Sequence, residues 1–223
     1  MKKIFFCCII LLFAFACKKG NNNNNNGVNE NATDLFPDKP GDTWLYLVND
    51  TAVYTLNGQS NTVSQYYTTV SVIDSVRLPE SIHGIPLPKG TEANIWVYNY
   101  PEGTDTNYVY HTGDTLVFFE IHQTSKSYAR QYVVPLILHN SWHYTVGSFA
   151  EVAVDSQDNI IVGQNHFDNA FHIEGYGGMP DEGFSVEEWI KDNIGMVKRY
   201  LQTDGTSGVN HFTKWSLISY HLK

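Results

Sequence analysis

Alternation restricts this chain more than any other feature. From residue 43 onward apolar and polar side chains change places at nearly every step, and the apolar ones are mostly Val, Ile, Leu, Tyr, Phe and Trp. A period of two sends one set to one face of a pleated strand and the other set to the opposite face. "TWLYLV" (43–48) and "TAVYTL" (51–56) flank Asn49-Asp50, which reads as a short hairpin turn. Asn57-Gly58 turns the chain again into "TVSQYYTTVSVIDSV" (62–76), and residues 77–93, with Pro79, Pro86 and Pro88, read as a loop. Further strands are expected at 94–100, 107–111, 115–122, 127–138, 142–146, 149–156, 159–163, 169–177 and 211–222. About a dozen strands at this spacing specify an all-β fold with little helix: a strongly curved antiparallel sheet, half-barrel or open barrel.

One stretch reads two ways. In "EEWIKDNIGMVKRYL" (187–201) apolar residues keep helical time, and Ser185 with Glu188 fits a capping box. Gly195 opposes a helix, and the alternation after it suits a strand equally well. There is also an internal echo: Pro37 and Pro135 each precede a Trp-x-Tyr strand start, at Trp44 and Trp142, by the same interval. It is read as two similar strand starts.

The N-terminus decides the compartment. Lys2 and Lys3 precede an uncharged apolar run from Ile4 to Ala16, too short for the ~20 residues a membrane-spanning helix needs. That is the pattern of a secretory signal, residues 1–16. "AFAC" (14–17) resembles the lipobox of bacterial lipoproteins, with Ala14 where that motif prefers Leu, which makes Cys17 the acylated first residue of the mature protein. Residues 17–34, with asparagine throughout 21–26, have nothing to bury and serve as a flexible tether. Residues 35–223 make one β domain. That domain contains no cysteine, so it has no disulfide and no thiolate chemistry. The chain holds 14 basic against 23 acidic side chains, and the signal removes two of the basic ones. An acidic body disfavours nucleic acid and anionic lipid surfaces as partners.

"LFPDKPGDTWLY", "VVPLILHNSWHY" and "NAFHIE" followed by "EEWIKDNIGMVKRYL" occur in that order, and in this the chain resembles uncharacterised Bacteroidetes-type lipoproteins. Their architecture is similar to the Lol-type lipoprotein carriers, so the resemblance implies a curved antiparallel half-barrel over residues 35–223. It implies a turn at Asn193–Gly195 with a strand from Met196, and it carries no catalytic residue. With it, a turn is expected at 192–195 and a strand at 196–202, while 185–191 stays open between helix and strand.

Chemistry-bearing constellations are sparse. His139 and His143 do not share a face, His166 and His172 lie too far apart on a strand to chelate together, and no HExxH is present. Neither a Gly-x-Ser-x-Gly elbow nor a P-loop occurs, and Glu187 and Glu188, adjacent on a strand, would point to opposite faces. "DSQDN" (155–159) is read as a polar hairpin turn and "GYGGMPDEG" (175–183) as a flexible loop. No metal, no cofactor and no enzymatic activity are therefore expected. The most suggestive group is aromatic: Trp96, Tyr98 and Tyr100 on one strand, Tyr108 and Tyr110 on the next, and Phe118 beyond. If Tyr98 pairs with Tyr110, the six form either core packing or a patch for a lipid-like ligand. The expected role is structural or interactive, in an outer-membrane lipoprotein of the bacterial envelope with an envelope protein as partner. The alternative is carriage of a hydrophobic molecule in the concave face.

Overall fold

The computed structural model describes residues 35–54, 61–82, 85–121, 127–144, 149–179, 182–205 and 208–223. Cys17 with the signal and tether, the Asn57-Gly58 turn and part of the glycine-rich loop lie outside them. The strands are β1 (Thr43–Tyr54), β2 (Thr62–Arg77), β3 (Ser81–Ile82), β4 (Ile85–Pro86), β5 (Glu92–Tyr100), β6 (Gly103–Thr112), β7 (Thr115–Ile121), β8 (Ser127–Val133), β9 (Ser141–Tyr144), β10 (Phe149–Val162), β11 (Asn165–Met179), β12 (Glu182–Lys191), β13 (Gly195–Asp204) and β14 (Val209–His221). Twelve form one antiparallel sheet in the order β8-β7-β6-β5-β2-β1-β14-β13-β12-β11-β10-β9, and β3 pairs with β4 separately. The sheet curls into a nearly closed barrel with one unsealed seam, between β8 and β9. The expected dozen-strand curved sheet is what the chain forms.

Inward positions carry the core. Trp44, Tyr46 and Val48 of β1, Val70 and Val72 of β2, Phe118 of β7, Val152 and Val154 of β10, and Leu217 of β14 all belong to one buried cluster. Leu35 and Phe36 join it from before β1, with Phe36 5.3 Å from Phe118 and 4.9 Å from Tyr132 between ring centroids. A second cluster lies on the outer side, where Leu78, Ile82 and Leu87 of the β3–β4 loop cover Tyr110, Val117 and Phe119. The proline-rich loop is thus a lid over one flank of the sheet, and it hides apolar side chains that would otherwise face water.

Three expectations need correcting. Asn49-Asp50 is not a turn: β1 runs through it, with Asn49 accepting a bond from Gln65 and Asp50 one from Thr213 on the flanking strands. Partners on both sides satisfy the polar pair, so the strand need not stop. "DSQDN" is likewise not a hairpin turn but lies within β10, which is irregular at Val154/Ser156 and at Asp158/Ile160. Bulges absorb the surplus residues without breaking the strand. "GYGGMPDEG" is not a loop over its length either, since β11 runs on to Met179 and β12 begins at Glu182. The stretch left open, 185–191, is strand and part of β12, and the turn at 192–194 with β13 from Gly195 agrees with the expected turn and strand. Gly195 has φ +90°, and a Cβ there would come within 3.3 Å of Phe36. This corner is further held by the Trp44 indole donating to the Ile194 carbonyl and the Tyr46 hydroxyl donating to that of Met196, each at 2.7 Å.

The echo between Trp44 and Trp142 proves to be the start of a repeat. The Gly41 amide donates to the Val72 carbonyl and the Val72 amide to Asp42, as the His139 amide donates to Val154 and the Val154 amide to Asn140. Gly41 (φ +100°) and His139 (φ +67°) share the positive-φ position of this turn. Trp44 faces Val70 as Trp142 faces Val152, a register slip follows Val72 as it follows Val154, and Trp96 faces Asn107 as Ile173 faces Glu188. The first half (β1, β2, β5–β8) and the second half (β9–β14) are therefore the same six-stranded unit used twice. The unsealed β8–β9 joint occupies the place that the fully laddered β14–β1 joint holds on the other side. Gly41→Ala tests the turn. At φ +100° a Cβ is strained, and it would also crowd the Lys223 side chain. A loss of about 1–2 kcal/mol in urea unfolding is expected, and an unchanged midpoint would contradict this turn geometry.

Candidate functional site

Inside the barrel the apolar core is interrupted by one charged centre. Glu188 faces inward from β12 and is 2 % exposed. Its Oε1 lies 3.0 Å from Arg130 Nη1 and 3.2 Å from Arg199 Nε, and its Oε2 accepts a 2.5 Å bond from the Tyr132 hydroxyl. The Arg130 guanidinium sits 4.6 Å over the Phe118 ring. Burial by itself pushes the Glu188 carboxyl up, but the Arg130 and Arg199 guanidiniums, together with the Tyr132 and Arg130 hydrogen bonds, outweigh it and hold the group below its ordinary value. Burial drives the Tyr132 hydroxyl well above its usual range. Both carboxylate oxygens are thus committed, and the phenol that touches them keeps its proton.

This centre ties the edge strand β8 to the opposite wall of the barrel. Arg130 and Tyr132 stand on β8, whose outer edge lacks a ladder partner, and Glu188 and Arg199 stand across the interior on β12 and β13. The Trp142 indole of β9 adds a 2.9 Å bond to the Gln131 carbonyl of β8. Among the described residues, that indole bond spans the β8–β9 edges, which no backbone ladder joins. Beside the centre, a cavity of about 60 Å³ is lined by Tyr98, Tyr100, Asn107, Glu120, Arg130, Arg199 and Trp215, among others. That volume holds a few waters.

The structure separates the six aromatic candidates. The β5–β6 turn is tighter than expected, with Tyr100 facing Gly103, so Tyr98 faces Asp105 and not Tyr110. The shift is an odd number of residues, and it sends Tyr108 and Tyr110 to the opposite face. Trp96, Tyr98, Tyr100 and Phe118 point inward: Trp96 stacks on Trp44 at 4.8 Å, Phe118 meets Trp96 edge-on at 5.3 Å, and Tyr98 and Tyr100 approach Trp215 at 6.4 and 6.1 Å. Tyr110 is buried under the β3–β4 loop with Tyr108 beside it. The six do not make one patch.

Sequence reasoning missed the outer face of β12, β13, β14 and β1. There a groove of about 420 Å³ is lined by Asn49, Thr51, Ser185, Glu187, Tyr200, Gln202, Phe212 and Lys214, among others. Trp189 meets Tyr200 edge-on at 5.7 Å, and Lys198 Nζ lies 3.9 Å over Trp189 and 4.6 Å over Tyr200. Phe212 is 40 % and Tyr67 61 % exposed on the same side of the sheet. The signal was present in Trp189 and Tyr200, but only the register says that they face out. No helix among the described residues is long and apolar enough to cross a membrane.

No family model and no curated protein matches the chain. Among solved structures it is similar to a "putative lipoprotein" from Parabacteroides distasonis, at 12 % identity and TM-score 0.42, over 86 % of this chain and 100 % of that one.

Proposed function

We propose that the protein is a lipid-anchored lipoprotein of the bacterial envelope, held at the outer membrane by Cys17, that works as an interaction module through the outer face of its barrel. The observation that carries this reading is the groove across β12, β13, β14 and β1, with Tyr200 and Phe212 among amide, carboxylate and ammonium groups. Exposed aromatic side chains bordered by hydrogen-bonding groups are the composition of recognition surfaces. The alternative, carriage of a lipid-like molecule in the concave face, has less support. Among the described residues, the inward cavity beside Glu188's arginines, at about 60 Å³, is far below the roughly 300–1,000 Å³ of small-molecule sites.

The test is made in cells, with a photo-crosslinking amino acid at position 212 and, as control, at the exposed Ile161. A discrete adduct at 212 that exceeds the one at 161, and that is lost when Cys17→Ala moves the protein out of the membrane fraction, is the expected result. Equal labelling at both positions would count against the groove, and a Cys17→Ala protein that stays membrane-bound would count against the anchor.

A further inference from the structure

The outer face of the second half holds a group of ligating side chains that its twin in the first half does not. Asp155 occupies the β10 bulge, His172 and Glu174 stand two apart on β11, and Glu187 faces Glu174 from β12. One ligand atom from each of Asp155, His172 and Glu174 lies within 4.8 Å of the other two. His172 Nδ1 is 3.6 Å from Asp155 Oδ2, and its Nε2 is 3.7 Å from Glu187 Oε2. That Nε2 is fully shielded from solvent and has no hydrogen-bond partner among the described residues. The ring is fixed by stacking on Trp189 at 4.4 Å, nearly parallel. Like charges directly across a ladder are destabilising, and no lysine or arginine among the described residues bonds Asp155, Glu174 or Glu187 to offset them.

The repeat shows that the fold itself does not require these residues. In register, Asp155, His172, Glu174 and Glu187 correspond to Ile73, Ile95, Val97 and Thr106 of the first half, while Trp189 corresponds to Tyr108. The same backbone place holds three aliphatic side chains and a threonine in one half and an imidazole with three carboxylates in the other. A bulge that re-aims one side chain toward its neighbours, as at Asp155, is a recurrent device beside functional sites.

We propose that Asp155, His172 and Glu174 bind a divalent cation of the zinc or manganese class, with Glu187 on the other side of the ring to accept from its second nitrogen. An imidazole with carboxylates suits these ions, and donors within 4.8 Å of one another need only small side-chain adjustments to reach the roughly 3.3–3.6 Å separations of ligands around a metal at ~2.0–2.2 Å. The exposed side of Asp155 leaves positions open to water or to a partner's carboxylate.

Full-length protein, purified in detergent and stripped with EDTA, is titrated calorimetrically with ZnCl2, MnCl2 and CaCl2. One equivalent of Zn²⁺ or Mn²⁺ is expected to bind more tightly than Ca²⁺ and to change the fluorescence of the tryptophans, Trp189 being in contact with the ligand ring. His172→Ala is expected to weaken binding by more than the about 10–100-fold that loss of an outer-shell partner costs. A variant carrying the first half's residues, Asp155→Ile, His172→Ile and Glu174→Val, is expected to fold and to bind none. Absence of heat from all three ions overturns the proposal, as does stoichiometric binding that survives in either variant.

Discussion

Glu188→Ala is expected to destabilise the barrel by about 3–5 kcal/mol, the range for removing one partner of a buried ion pair. The loss does not come from the missing carboxylate alone. Arg130 and Arg199 would be left as two guanidiniums facing each other in the interior, with the Tyr132 hydroxyl deprived of its acceptor. Urea unfolding at neutral pH measures the difference. Acidification then supplies a second reading of the same group. Because the folded protein holds the Glu188 carboxyl below its ordinary 4.5, its contribution is full above the unfolded value and is lost as pH falls through the folded one. The gap between wild type and Glu188→Ala should therefore narrow below about pH 4.5. A gap under about 1 kcal/mol at neutral pH would mean that the carboxylate does not hold the seam.

Trp44→Ala should cost a comparable amount, about 3–5 kcal/mol. Trp44 is 2 % exposed, stacks on Trp96, and donates its indole hydrogen to the turn before β13. Its removal opens a void, strands the Ile194 carbonyl and leaves one face of Trp96 bare. Trp142→Ala provides the matched comparison, since Trp142 holds the same place in the second half and binds Gln131 across the unsealed joint. Both variants should unfold at clearly lower urea concentrations than wild type, with similar losses. A Trp142→Ala protein as stable as wild type would show that the β8–β9 joint is not held from within.

The strands were legible where β-branched and aromatic residues fill a run between clear turn signals. β2, β5 and β7 match their expected spans closely, although β2 carries a bulge after Val72 and β7 an inward Glu120. β12 was not legible because its apolar residues also keep helical time, and its inward series, Phe184, Val186, Glu188 and Ile190, contains a charge. The outward Trp189, buried under His172 and Lys198, compounds the confusion, since an inward glutamate beside an outward tryptophan inverts the pattern on which the reading depends. The turn at Asn193 was legible because Asn and Gly tolerate positive φ. The aromatic group failed on register: Pro101–Thr106 looked like a six-residue loop, and the real two-residue turn shifted every partner. The His172 group was invisible for a related reason, as its members come from three strands and no spacing along the chain joins them.

The duplication has a consequence for the order in which the molecule can assemble. Within each half, nearly every strand pairs with the one just before or after it, so both halves can grow as local meanders. β1 is the exception: it gains β2 at once, but its other edge belongs to β14, at the far end of the chain. Pairings so distant in sequence are the slow ones. A chain made N-terminus first therefore carries an open β1 edge through the whole of its synthesis. The Lys223 amide bonding to Asp42 beside Gly41 marks where that edge finally closes. The first strand to be made is the last to be completed.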